Sequence, residues 1–222
     1  MKVYYTKVFP FLEESTFFSQ LNKVDKERRR KILAGGNEAV RLRSLTAGSL
    51  MHDALCRELK IAADKKGPFE VAYAEGGKPY LPAEPKLHFN LSHSGTYVCC
   101  AVSDEPVGVD IQQITEVKEG IAERFFTEKD KQRLSALSGE ERKQLFFRMW
   151  SIKESYLKLT GKGITAGLDS FEIDWMENKI LDGGTEVAFY EEYNCLPQYC
   201  LCVCTGAPCK EVVWEEIGQF SE

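Results

Sequence analysis

The 222-residue chain has no run approaching the roughly 18 apolar residues of a membrane span. It also lacks the charged and then apolar blocks of a signal peptide, since Met1-Lys-Val-Tyr-Tyr-Thr-Lys-Val-Phe9 alternates instead. The cytoplasm is therefore the expected location, with no membrane partner. Histidine is scarce, with only His52, His88 and His93, and no two of the eight cysteines are spaced C-x-x-C, so neither a zinc site nor a disulfide framework is indicated. There is no basic excess either. A net charge of -5 argues against a general nucleic-acid binder, whose footprint is usually basic.

What is present suits one large or two small globular units with a real core, given 43% hydrophobic residues. Cys200, Cys202 and Cys204 alternate, which predicts one face of a strand where reduced thiols serve as small apolar residues. The competing reading is a soft-metal site completed by Cys195 or Cys209. Met1 to Phe9 reads as a strand and Glu13 to Lys31 as a helix. Asn37 offers an N-cap to a long helix through about Leu59. Strands are expected at Phe69 to Tyr73, Leu87 to Leu91 and Tyr97 to Val102, separated by turns at Gly76-Gly-Lys-Pro79 and Ser92-His-Ser-Gly95.

From Pro106 the order partly repeats: a strand, helices at Lys118 to Arg124 and Glu128 to Leu137, a long helix from Glu140 to about Leu159, then strands near Phe171, Val187, Tyr199 and Val212. No sequence repeat accompanies it. The expectation is an α+β fold of two similar halves, a pseudo-dimer, with residues 1-104 in the first half and 105-222 in the second, and a ligand site in the cleft between them.

Two segments carry chemistry. Pro106-Val-Gly-Val-Asp-Ile-Gln112 alternates so that Asp110 and Gln112 share one strand face. In Trp150-Ser-Ile-Lys-Glu-Ser-Tyr-Leu-Lys158, each of Trp150, Glu154 and Lys158 falls roughly 40° round a helix from the last, opposite the apolar stripe of Leu145, Met149, Ile152, Tyr156 and Leu159. A strand carboxylate and a helix carboxylate that meet make a metal site. On spacing alone, Glu154 and Lys158 could equally be an exposed i,i+4 ion pair. By angular position Lys153 belongs at a cleft edge or in solvent.

Together with Phe89-Asn-Leu-Ser-His-Ser-Gly95 and Gly161-Lys-Gly163, these segments resemble, in order and spacing, the 4′-phosphopantetheinyl transferases of the surfactin-synthetase-activating type. The resemblance covers most of the chain. It implies transfer of the phosphopantetheine arm of coenzyme A to a serine of an acyl or peptidyl carrier protein, releasing adenosine 3′,5′-bisphosphate with Mg2+. It makes Asp110 and Glu154 metal ligands and gives Glu154 and Lys158 catalytic roles on the serine proton and the leaving group. Magnesium takes one or two carboxylates with water and phosphate, which the pair supplies. Gln112 stands where many members carry a second acid, and its amide oxygen is expected on the metal or one of its waters. The donors for coenzyme A carry over as Arg28, Lys31, Arg43, Ser44, Lys78, Ser92 and His93.

Two other functions fit the same residues: a metal-dependent hydrolase of the coenzyme A pyrophosphate, and a non-catalytic module that binds carrier protein. Apolar residues in Ile114 to Phe126 and Leu134 to Leu145 exceed the needs of a solvated loop and suggest a carrier-docking surface. Two pseudo-equivalent halves in one chain make a monomer the expectation.

Overall fold

The computed structural model describes residues 1–62, 67–163, 167–194, 196–208 and 211–218. The alternating N-terminus forms β1 (Lys2–Lys7), followed by α1 (Glu14–Leu21), α2 (Lys26–Leu33) and α3 (Glu38–Glu58). The single helix expected over Glu13 to Lys31 is thus two, because Asp25 caps α2 with its own side chain, accepting the Arg28 N–H at 3.0 Å. Asn37 caps α3 in the same way, through the Ala39 N–H. A short hairpin pairs β2 (Ala72–Tyr73) with β3 (Pro79–Tyr80), so only the end of the Phe69 to Tyr73 stretch is strand. Strands β4 (His88–Ser94) and β5 (Tyr97–Ser103) follow.

Ser92 and His93 lie in β4, not in the expected turn. The strands pair as far as Ser94 and Tyr97, and Gly95, at φ 53°, turns the chain between them.

The second half begins with β6 (Val107–Gln113), α4 (Ile121–Phe125), α5 (Glu128–Ser135) and α6 (Gly139–Thr160). It continues through β7 (Glu172–Asp174), β8 (Lys179–Asp182), β9 (Thr185–Tyr193) and β10 (Tyr199–Thr205), and the last strand is β11 (Val213–Glu216). The chain divides into two compact units, Met1–Asp104 with Val213–Glu222, and Glu105–Val212. The C-terminal strand therefore does not belong with the second half: β11 pairs in parallel with β1, Val3 opposite Trp214, and completes a sheet of order β11-β1-β5-β4. Arg57 on α3 also pairs with Glu215.

Within each unit one long helix covers a mostly antiparallel sheet, the repeated plan expected of an α+β pseudo-dimer. In the first, α3 lies against β5, β4 and β1 around Tyr4, Leu50, Leu55, Phe89 and Val98. In the second, α6 lies against β6 and β10 of the sheet β6-β10-β9-β8-β7, around Met149, Ile152, Tyr156, Phe171 and the cysteines of β10. Among the described residues, no helix is long and apolar enough to cross a membrane.

The apolar residues of the suspected docking segments largely serve this core. Ala122, Phe126 and Leu134 are buried in it, and Ile114, Val117, Ile121, Phe125 and Leu145 pack on it.

Candidate active site

The second unit is built so that a helix backbone can touch a strand. Gly108, Asp110 and Gln112 occupy one face of β6, directly across from Cys204, Cys202 and Cys200 of β10. A Cβ at Gly108 would stand 2.0 Å from the Ser155 carbonyl oxygen and 2.3 Å from the Leu159 nitrogen, so only glycine admits α6 here. Ser151 and Ser155 continue the small surface on the helix side. The Ser151 hydroxyl donates to the Asp110 carbonyl at 3.2 Å, and that of Ser155 to the Ile152 carbonyl at 2.7 Å, with Cys202 Sγ at 3.4 Å.

The alternating cysteines are therefore free thiols filling narrow space beneath a helix, as their spacing predicted. Burial pushes the Cys200 and Cys204 thiols up to about 12, which keeps them protonated. Cys195 and Cys209, the completing ligands of the soft-metal reading, lie outside the described residues.

This close approach brings the expected catalytic residues together. Lys158 Nζ stands 2.6 Å from Asp110 Oδ1, and Gln112 Nε2 donates to Asp110 Oδ2 at 2.8 Å. Asp110 is 1% exposed and Glu154 7%. Glu154 Oε1 is buried without a hydrogen-bond partner. Burial first, and then the Asp110 carboxylate, raise the Glu154 carboxyl to about 7, with Lys158 opposing. These residues are not an exposed i,i+4 pair, because the lysine reaches across to the strand.

A hard cation fits this donor set: it would satisfy the orphaned Glu154 oxygen and relieve the repulsion between the two carboxylates. Among the described residues no three His, Cys, Asp or Glu side chains converge on a metal position. Gln112 turns its amide nitrogen to Asp110, because Oδ2 is an acceptor and draws the donor end of the amide.

Two neighbours differ from the sequence reading. Trp150 does not extend a polar face but stacks on Phe146, with ring centroids 5.8 Å apart, and meets Phe125 edge-on at 5.7 Å. Lys153 is neither at a cleft edge nor in solvent. It is fully buried, 2.9 Å from Asp130 Oδ2, and donates to the Leu168 and Phe171 carbonyls at 2.8 and 2.9 Å. Asp130 in turn closes the capping box at the start of α5 with Thr127. Lys153 thus fastens α6 to α5 and to the segment after the Gly161-Lys-Gly163 turn.

The residues matched to coenzyme A all fall in the first unit. Arg28 is turned inward, its side chain 21% exposed, with Asp25 Oδ2 3.5 Å from its Nε. Lys31 points outward, 67% exposed and 3.6 Å from Glu27, as Arg30 also pairs with Glu27. Arg43 and Ser44 are half-buried on α3. Lys78 is half-buried between β2 and β3, and burial lowers its ammonium to about 8. On β4, Ser92 is buried and His93 exposed. Sequence reasoning missed Gly108, Ser151 and Ser155 as spacers; their signal was the run of small residues on facing elements.

The profile of the 4′-phosphopantetheinyl transferase superfamily matches residues 106–204, which hold both carboxylates and Lys158. The chain is similar to a 4′-phosphopantetheinyl transferase of Bacillus subtilis, 36% identical over 166 residues that cover 72% of this chain and 74% of the relative. The 4′-phosphopantetheinyl transferase ffp of Bacillus subtilis is 31% identical over 216 residues, 94% of this chain and 93% of that one. The psf-1 transferase of Bacillus pumilus is 42% identical over 136 residues, 60% and 58% of the two chains. With the Asp110, Glu154 and Lys158 constellation inside the matched region and a relative aligned over nearly its whole length, this chain belongs to the 4′-phosphopantetheinyl transferase superfamily.

Proposed function

We propose that this phosphopantetheinyl transferase moves the 4′-phosphopantetheine arm of coenzyme A onto a serine of an acyl or peptidyl carrier protein, with Asp110 and Glu154 holding Mg2+. The observation that carries the metal assignment is the buried, partnerless Glu154 oxygen beside the Asp110 carboxylate. Bound there, magnesium would neutralise the charge that develops as the pyrophosphate bond breaks. Glu154 accepts the serine proton, directly or through water, as the serine oxygen bonds to the phosphorus bearing the arm. The P–O bond to the adenosine bisphosphate breaks in the same displacement. Lys158, 2.6 Å from Asp110, is the cation assigned to neutralise or protonate that leaving group. Gln112 holds the second Asp110 oxygen and so fixes the carboxylate's orientation. Positioning of the two substrates supplies much of the remaining acceleration.

Mass spectrometry of an apo carrier protein incubated with coenzyme A, magnesium and this chain tests the reading. The carrier should gain the mass of one phosphopantetheine arm while adenosine 3′,5′-bisphosphate appears. Bisphosphate without a modified carrier would make the chain a hydrolase, and neither product would make it a binding module. The relatives support neither of those alternatives.

The donor role of Gln112 has a measurable consequence. Gln112→Glu replaces the donor to Asp110 with a third carboxylate, which should lower the magnesium concentration for half-maximal activity while leaving turnover at saturating magnesium little changed. Gln112→Ala should retain substantial activity. Identical magnesium midpoints for wild type and both variants would place Gln112 outside the metal's influence.

A further inference from the structure

We propose that Asp25 and Tyr73 form a positioning pair that holds Arg28 and the hairpin bearing Lys78 in the arrangement that receives the phosphates of coenzyme A, an inference that rests on the coenzyme A reading of the first unit.

Asp25 is 3% exposed, and capping α2 does not by itself call for a buried charge, since a serine, threonine or asparagine would serve. The carboxylate does more than cap. Oδ1 accepts the Arg28 N–H at 3.0 Å and the Tyr73 hydroxyl at 3.3 Å, while Oδ2 lies 3.5 Å from Arg28 Nε. The ε edge of the guanidinium thus faces Asp25. Its two terminal nitrogens donate no hydrogen bond among the described residues, although the side chain is only 21% exposed. A half-buried fork with free ends is suited to an anion. Gly48 on α3 permits the arrangement, since a Cβ there would meet Arg28 Cδ at 3.0 Å.

Tyr73 carries the same carboxylate to the second cation. In the β2–β3 hairpin Tyr73 pairs with Pro79, and Lys78 immediately precedes that proline. Each strand has only two residues, far fewer than an independent hairpin needs, so its placement depends on tethers to the body of the unit. The Tyr73–Asp25 bond is one such tether and leads to the helix that bears Arg28. Lys78 itself lines a cavity of about 260 Å³ with Ala74, Pro79, Tyr80, His88 and Phe89. Burial lowers the Lys78 ammonium to about 8. Two cations distant in sequence are thereby referred to one carboxylate, which sets their spacing before substrate arrives.

Tyr73→Phe in the full chain tests this, because it deletes only a hydroxyl from a side chain 41% exposed and leaves the helix cap intact. Calorimetric affinity for coenzyme A should fall by about threefold to tenfold, the loss of one hydrogen bond. The KM for carrier protein and kcat at saturating coenzyme A should stay unchanged. Asp25→Asn, which keeps a capping side chain, should weaken coenzyme A with the same selectivity. In a Lys78→Ala background Tyr73→Phe should cost much less, because it acts partly through that lysine.

If Arg28→Ala and Lys78→Ala weaken coenzyme A but Tyr73→Phe does not, or if the Tyr73 and Lys78 effects are fully additive, the positioning role is wrong. Equal losses for coenzyme A and carrier would also overturn it, by making the pair merely structural. If Arg28→Ala and Lys78→Ala themselves leave coenzyme A binding intact, the coenzyme A reading of this unit fails and the inference falls with it.

Discussion

Glu154→Gln should cut phosphopantetheine transfer by about a thousandfold or more and, at alkaline pH, make the metal-free protein more stable. On the proposed metal role, the activity loss follows from removing a charged ligand that acts on the developing phosphate charge, an effect of at least several kcal/mol. The stability gain follows from the same geometry. Glu154 is 7% exposed, its Oε1 has no hydrogen-bond partner, and burial with the neighbouring Asp110 charge lifts its carboxyl from 4.5 to about 7. A folded pKa above the unfolded one means that the native state binds the proton more tightly. The metal-free wild type should therefore gain stability as the pH falls from 8 through 7, a gain complete near 4.5 and on the order of 3 kcal/mol.

Glutamine is neutral throughout, so the variant should show none of this dependence from Glu154. Urea unfolding in chelator at pH 8 and pH 5.5, compared between the two proteins, measures the difference. Asp110→Ala should lose transfer to the same degree without that gain, because it also removes the partner of Lys158. Near-normal turnover in either variant with an unchanged magnesium requirement would refute the metal assignment. A pH-independent stability difference between wild type and Glu154→Gln would refute the buried, partnerless state of this carboxyl.

The features legible in the sequence were those with local causes. Strand alternation put Asp110 and Gln112 on one face, Asn37 announced α3, and the cysteines of β10 alternated as small core residues. The break between α1 and α2 was missed because the charged run after Asp25 continues a helical composition, while the capping bond that starts α2 is made by one side chain. β8 was missed despite a usable signal: Gly183 and Gly184, at φ 58° and 82°, form the tight turn that joins it to β9.

The rest depended on partners distant in the chain. Nothing near Val213 foretells a parallel pairing with β1, and the small polar residues of Ser92-His-Ser94 read as a turn until β5 holds them in register. A lysine in an amphipathic helix is ordinarily solvated. Lys153 is buried because Asp130 and two carbonyls beyond α6 meet its ammonium, which helix periodicity alone could not show.

Gly108→Ala should be among the most damaging substitutions of a single methyl group in this protein, and it tests whether backbone contact between β6 and α6 builds the site. The added Cβ would fall 2.0 Å from a carbonyl oxygen and 2.3 Å from a backbone nitrogen of α6. Neither atom can rotate away, so the helix or the strand must shift. Overpacking of a core commonly costs about 1–3 kcal/mol, and a clash with the backbone of α6 belongs at or above the top of that range.

Gly48→Ala offers an internal comparison. Its nearest neighbours are side-chain atoms, Val24 Cγ2 at 2.8 Å and Arg28 Cδ at 3.0 Å, which can yield, so its cost should be distinctly smaller. Even the folded fraction of Gly108→Ala should be impaired. Glu154 and Lys158 ride on the displaced helix while Asp110 stays on the strand, and a misplacement of about 1 Å can cost on the order of a hundredfold in rate. Denaturant midpoints for both alanine variants, with turnover measured below the unfolding transition, separate the two effects. Wild-type turnover in a Gly108→Ala protein of unchanged midpoint would mean that the helix does not rest on this glycine. The contact that brings Asp110, Glu154 and Lys158 together would then have to lie elsewhere in the unit.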